Sequence, residues 1–218
     1  MDCRKLKFIE RLKMAIFISF VFFLSTSNGF GQQVEISGGL AQKVLFGQEK
    51  SVYRPSLGYE LGFNHHVNDY RFAHSVSYGF NIGAYRLNRY NSEDGLADQH
   101  QQLFETKGSF RYDYFVKSNF SFFSGIEAGF QFINLKTDQN VVLSSERTTQ
   151  VFTKGVLAPK AGFNFEFNPY LSVYYKLSYD LGRYLGDHPT WGNPSSKWTH
   201  LLNNSAGIRI KFNNGYLY

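Results

Sequence analysis

Along residues 161–182, AGFNFEFNPYLSVYYKLSYDLG, apolar or aromatic residues fall at almost every second position. Ala161, Phe163, Phe165 and Phe167 are followed, beyond Asn168-Pro169-Tyr170, by Leu171, Val173, Tyr175, Leu177, Tyr179 and Leu181. Lys160, Gly162, Asn164, Glu166, Ser172, Lys176, Ser178 and Asp180 occupy the other register. A period of two marks strands with two unlike faces. The alternation continues from Gln32 onward and predicts eight strands, at about 33–46, 55–66, 71–86, 102–115, 120–135, 152–167, 171–184 and 200–213. Each is longer than the ~5–6 residues usual in globular sheets and close to the ~9–11 that a tilted strand needs to cross a bilayer. No helical period competes.

The connectors alternate in length. Three are short and carry Asn, Asp or Pro where the backbone must reverse: His66-Val67-Asn68-Asp69-Tyr70, Val116-Lys117-Ser118-Asn119 and Asn168-Pro169-Tyr170. The other four, GQEKSVYR, NRYNSEDGLADQHQQ, KTDQNVVLSSERTTQ and LGDHPTWGNPSSKWTH, are long. In an up-and-down barrel every second connector lies at the same end, so one end gathers three tight turns and the other four displayed loops. Greek-key sandwiches have no reason to keep that order.

A soluble strand covers its wet face with Lys, Glu, Thr and Arg and avoids glycine. Here Leu57, Tyr59, Leu61 and Phe63 alternate with Ser56, Gly58, Glu60, Gly62 and Asn64, and Phe72, Val76, Tyr78, Phe80 and Ile82 with Ser75, Ser77, Gly79, Asn81 and Gly83. So small a polar register suits the narrow interior of an eight-stranded barrel, with the apolar register turned to lipid. The same parity turns Glu35, Glu60, Glu105, Asp113, Glu127, Glu166 and Asp180 inward, with Lys43, Lys107, Arg111, Lys160, Lys176, Arg209 and Lys211. Seven acids meet seven bases. A confined charge without a partner costs several kcal/mol, so these residues are expected to form a salt-bridge network that fills the lumen. The bland alternative is a mildly charged solvent face.

Composition adds detail. With 23 Phe and 15 Tyr the chain is rich in rings, and Tyr85, Tyr90, Tyr112, Tyr114 and Tyr170, near predicted strand ends, are expected at headgroup level in an aromatic girdle. Residues 1–31 read as a cleaved signal peptide: Arg4, Lys5, Lys7, Arg11 and Lys13 precede the apolar run MAIFISFVFFL and a small polar stretch ending near Gly31. Residues 32–218 then form one barrel domain. The leader carries five bases against Asp2 and Glu10, so its removal lowers the net charge from +6 to +3, and no basic arm remains to suggest nucleic acid. Cys3 lies within the leader, which leaves no disulfide or thiolate metal site in the mature chain. No cofactor is expected.

Candidate chemistry is sparse. His65 and His66 are adjacent on a strand and so face opposite sides; His65 and His74 fit the membrane interface near a short turn. His200, Asn203 and Ser205 are the best hydrolase-like set, loosely similar to outer-membrane lipid A deacylases. Those enzymes place the serine two residues after the histidine, whereas position 202 here is leucine, and Ser205 and His200 have opposite parity. Trp191 and Trp198, in a connector stiffened by two prolines, are candidates for contacting a glycan or protein, or for anchoring at the interface. Pro159 removes a ladder donor from the sixth strand and suggests a local bulge.

The last strand, SAGIRIKF, sets Ala206, Ile208, Ile210 and Phe212 outward against Arg209 and Lys211. With the alternation before it, this ending resembles the small eight-stranded outer-membrane barrels of the OmpA/OmpX type, and among them the PorT-like barrel domain. Phe212 and Tyr218 are alternative terminal aromatics for recognition by the barrel insertion machinery. The resemblance implies an all-β, eight-stranded antiparallel up-and-down transmembrane β-barrel in the bacterial outer membrane, in contact with its lipid and lipopolysaccharide. Expected roles are structural, adhesive or partner-docking through the four long loops. Alternatives are an accessory barrel of a secretion system, a lipid A-modifying enzyme, a narrow channel, or a soluble lipocalin-like carrier with the apolar face inside.

Overall fold

In the computed structural model the described residues are 33–46, 54–68, 74–88, 100–136, 149–186 and 197–213. They form eight strands: β1 (Gln33–Leu45), β2 (Ser56–Asn68), β3 (His74–Asn88), β4 (His100–Lys117), β5 (Phe120–Lys136), β6 (Thr149–Asn168), β7 (Leu171–Tyr184) and β8 (Trp198–Asn213). The signal peptide, Tyr90 and Trp191 lie outside the described residues.

Each strand pairs antiparallel with the next, and β1 pairs with β8, closing the barrel. Closure lets every strand satisfy its backbone groups within the sheet, which a lipid surround demands because no water is available there. At the tight-turn end, Asn168 Oδ1 accepts hydrogen bonds from the Tyr170 and Leu171 amides at 2.9 and 2.8 Å. The β4–β5 and β6–β7 turns each carry a register shift, at Phe115/Lys117 and Glu166/Asn168. The expected bulge at Pro159 is absent: Leu157 faces Leu181 and Lys160 faces Ser178, so no residue is inserted and the β6–β7 ladder is only interrupted. Proline lacks the amide to donate, and the chain keeps register without it.

Burial is inverted relative to a soluble protein. Leu57, Tyr59, Leu61 and Leu40 are 62–73 % exposed, whereas Glu35, Lys43, Glu127 and Asp180 are completely buried. Alternation is strict in β7, where every odd residue from Leu171 to Tyr179 points out and every even one from Ser172 to Asp180 is buried. At the β1–β8 seam Gly39 faces Gly207. A Cβ on Gly207 would run into the Gly38 carbonyl oxygen and the Gly39 Cα, so this seam requires glycine.

Tyr112, Tyr114 and Tyr170 do face outward. Tyr85 does not. It is 4 % exposed and its hydroxyl donates to Glu60 at 2.7 Å and Glu105 at 3.1 Å. Its parity is that of Ser75, Ser77, Asn81 and Gly83, and parity overrides proximity to a strand end.

Leu61 sits midway along the outer face, where a cation costs about 2–4 kcal/mol in lipid. Leu61→Arg is therefore expected to lower stability by about that amount in urea unfolding from liposomes, whereas Leu61→Phe leaves it within about 1 kcal/mol.

Candidate functional site

The lumen has three layers from the tight turns to the long connectors. Nearest the turns, Glu35 accepts both ends of the Arg111 guanidinium at 2.9 and 3.0 Å, and faces His66 Nε2 at 2.9 Å and Arg209 at 3.6 Å. Arg111 also donates from Nε to Asp113 at 2.8 Å, and Asn164 donates to the other Asp113 oxygen at 3.0 Å. Paired N–H donors on one carboxylate fix geometry as well as charge. The Arg209 guanidinium lies 4.7 Å from the Phe123 ring and 4.4 Å from the Tyr174 ring, so rings hold the part of this cation that carboxylates do not. Glu166 and Lys211 pair at the rim, less buried than the rest.

The middle layer is a lattice. Lys43 bridges Glu105 at 2.8 Å and Asp180 at 2.6 Å, and Lys107 lies 3.1 Å from Glu105, 3.1 Å from Glu127 and 3.6 Å from Asp180. Lys160 meets Glu127 at 3.0 Å, and Lys176 meets Glu60 at 2.7 Å and Glu127 at 3.6 Å. Gln131 donates to both Glu105 and Asp180, and Asn203 to Glu60. Strands far apart in sequence are tied together across the lumen. Among the described residues Ser37, Asn64, Glu60, Arg111 and Lys176 border a cavity of about 20 Å³, room for roughly one water.

Toward the long connectors the interior turns apolar. Ala41, Leu45, Leu103, Ile133, Phe152 and Leu201 pack with Tyr85 and Tyr184 into a buried cluster, and the Lys154 ammonium sits 4.5 Å from the Tyr184 ring. This layer was not anticipated, nor were Lys154, His66 and Tyr174 as lumen groups. Their signal was parity alone: Leu103 shares its register with Glu105 and Lys107, and Tyr184 with Lys176 and Asp180. All fourteen charged residues named from the sequence project to the lumen side.

The remaining candidates separate. His66 is a lumen group bonded to Glu35, while His65 lies against Tyr78 on the other face. His74 sits between Tyr112 and Tyr114 and bonds the Tyr112 hydroxyl, as suits an interfacial group. His200 Nδ1 meets the Tyr179 hydroxyl at 3.1 Å outside the barrel, whereas Asn203 and Ser205 are buried inside it. The wall stands between that histidine and serine, so they make no nucleophile–base pair. Trp198 is 54 % exposed, with the Arg183 guanidinium 5.6 Å from its ring centre.

No family model and no curated protein sequence matches the chain. Solved structures do. Ail of Yersinia pestis, in complex with the heparin analogue sucrose octasulfate, superposes with a TM-score of 0.54 at 14 % identity, over 84 % of this chain and 100 % of that one. Neisserial surface protein A matches with a TM-score of 0.51 at 15 % identity, over 84 % and 97 %. The chain has the fold of the small eight-stranded outer-membrane β-barrels. Its exposed apolar outer band is the face that such a fold turns to lipid. The outer-membrane enzyme PagL matches with a TM-score of only 0.39, a likeness too slight to bear on chemistry.

Removing one partner of a buried pair strands the other, at about 3–5 kcal/mol. Arg111→Met is expected to cost that much in urea unfolding. Glu35→Gln added to Arg111→Met is expected to restore part of it, giving a coupling of about 1–3 kcal/mol in a double-mutant cycle.

Proposed function

We propose that this barrel is a closed, non-catalytic outer-membrane protein whose activity resides in its four long connectors, displayed at the cell surface for a structural, adhesive or partner-docking role. The observation that carries this reading is the lumen as the described residues form it: a charge lattice through its middle that borders a cavity of about 20 Å³, and an apolar layer toward the long connectors. Such an interior is a plug, and it disfavours a diffusion channel. The separation of His200 from Ser205 across the wall disfavours the lipid A hydrolase. Ail, an attachment invasion protein, was solved with a sulfated sugar. A glycan or a protein is accordingly the ligand class to test at the loops, with Trp191 and Trp198 as contact candidates. Trp198 stands exposed at the start of β8, on the connector side.

Two measurements test the proposal. Planar-bilayer recordings are expected to show no steady conductance; open steps that scale with salt would contradict the plug. A cysteine introduced as Ser92→Cys, between β3 and β4, is expected to react with a membrane-impermeant maleimide on intact cells. Labelling only after lysis would place the long connectors in the periplasm and overturn the display role.

A further inference from the structure

From the turn end up to Phe46 on β1 and Leu202 on β8, the outward register is apolar except at one place. On β1 Val34, Ile36, Gly38 and Leu40 lead to Gln42, and Val44 and Phe46 follow it; on β8 Phe212, Ile210, Ile208 and Ala206 lead to Asn204, and Leu202 follows. Gln42 and Asn204 are opposite each other in the register. From the Val34–Phe212 pair to this pair is eight residues on each strand, which at ~3.4 Å each and a tilt of ~40° makes about 21 Å, inside a ~25 Å apolar band. Two carboxamides therefore face hydrocarbon.

Their hydrogen-bonding capacity is left over. The Tyr175 hydroxyl donates to Asn204 Oδ1 at 3.3 Å, but among the described residues the Asn204 N–H groups and the whole Gln42 amide have no partner. A lipid chain offers neither donor nor acceptor, and an amide left bare in hydrocarbon is costly. A carboxamide carries both donor and acceptor, so another carboxamide complements it. In the next two outward pairs below, Leu40–Ala206 and Gly38–Ile208, a small residue sits beside a large one. A Cβ on Gly38 would meet only Leu61 Cδ2, at an ordinary 3.5 Å, so the barrel's own packing demands Gly39 and Gly207 but not Gly38. Small outward residues let two membrane-embedded walls approach until their polar groups bond.

We infer that the β1–β8 seam is the contact face between two copies of this chain in the plane of the membrane, held by amide hydrogen bonds among Gln42 and Asn204 of both copies. Copies inserted in the same direction are related by a two-fold axis along the membrane normal; such an axis at this seam sets each Gln42 at the height of its counterpart and beside the other copy's Asn204. A second copy thus brings a matching group at the right depth by symmetry, which a different membrane protein would do only by coincidence. The contact goes beyond the display role and does not depend on which end of the barrel faces the cell exterior.

Energy transfer between donor- and acceptor-labelled copies of the full-length Ser92→Cys protein, folded into liposomes from one side, tests the face. Transfer is expected to exceed random colocalisation, to rise with the protein-to-lipid ratio and to be displaced by excess unlabelled protein. Gln42→Leu is expected to weaken association at least about tenfold, and Gln42→Asn, which keeps an amide, to weaken it less. Ser124→Leu, which removes an outward hydroxyl on β5 across the barrel, is expected to associate as the parent does. Transfer at the random level in the parent, parent-like association of Gln42→Leu, or an equal loss in Ser124→Leu would overturn the contact. Should Gln42→Leu fail to fold, Asn204→Leu decides in the same way.

Discussion

A charge inside a cylinder surrounded by lipid has no water to fall back on, and the rest of this barrel follows from that constraint. Transfer of a bare ion into such an interior costs several kcal/mol even after relaxation, so each ionised group must bring its counterion within a few ångströms. Lys43 answers Glu105 and Asp180, Arg111 answers Glu35 and Asp113, and Lys176 answers Glu60. Arg111 and Asp113 share β4, but the other partners come from strands that are not neighbours, so pairing them also fixes which strands sit across the lumen from one another. The charge lattice thus acts as a core in a protein whose apolar residues are committed elsewhere.

The outer face obeys the complementary rule. Lipid accepts Leu57, Leu61 and Ile208 as readily as a protein interior would, but offers nothing to an open backbone edge. Closure of β1 on β8 removes that edge, and Gly39 opposite Gly207 permits the close approach. Small residues on the inside are the steric counterpart of large ones: Gly83, Gly125 and Gly162 leave volume that Tyr85, Lys160 and Phe123 respectively fill.

Much of this architecture was legible in the sequence because one variable, parity, carries it. The alternation in 161–182 located β6 and β7 to within three residues at their ends and assigned Lys176 and Asp180 inward. Parity carries no information on height or on amphipathic side chains. Tyr85 was assigned to the girdle from its place near a strand end, yet its ring lies inside, where the hydroxyl finds two carboxylates. The apolar layer of Leu45, Leu103, Ile133, Phe152 and Leu201 went unread for the same reason: each is an ordinary apolar residue, and only its register placed it in the lumen. His66 was read only as facing away from His65, because its partner, Glu35, is remote in sequence.

Spin-label accessibility along β7 in liposomes tests the inside-out arrangement most directly. With nitroxides at 171, 173, 177 and 181, oxygen dissolved in lipid should relax the label while a water-soluble nickel chelate does not; at 172 and 178 neither reagent should reach it. Nickel access at 171–181 on the odd positions would place the apolar face in water, and nickel access at 172 and 178 would open the lumen; either result contradicts a lipid-facing wall around a closed, self-neutralising interior.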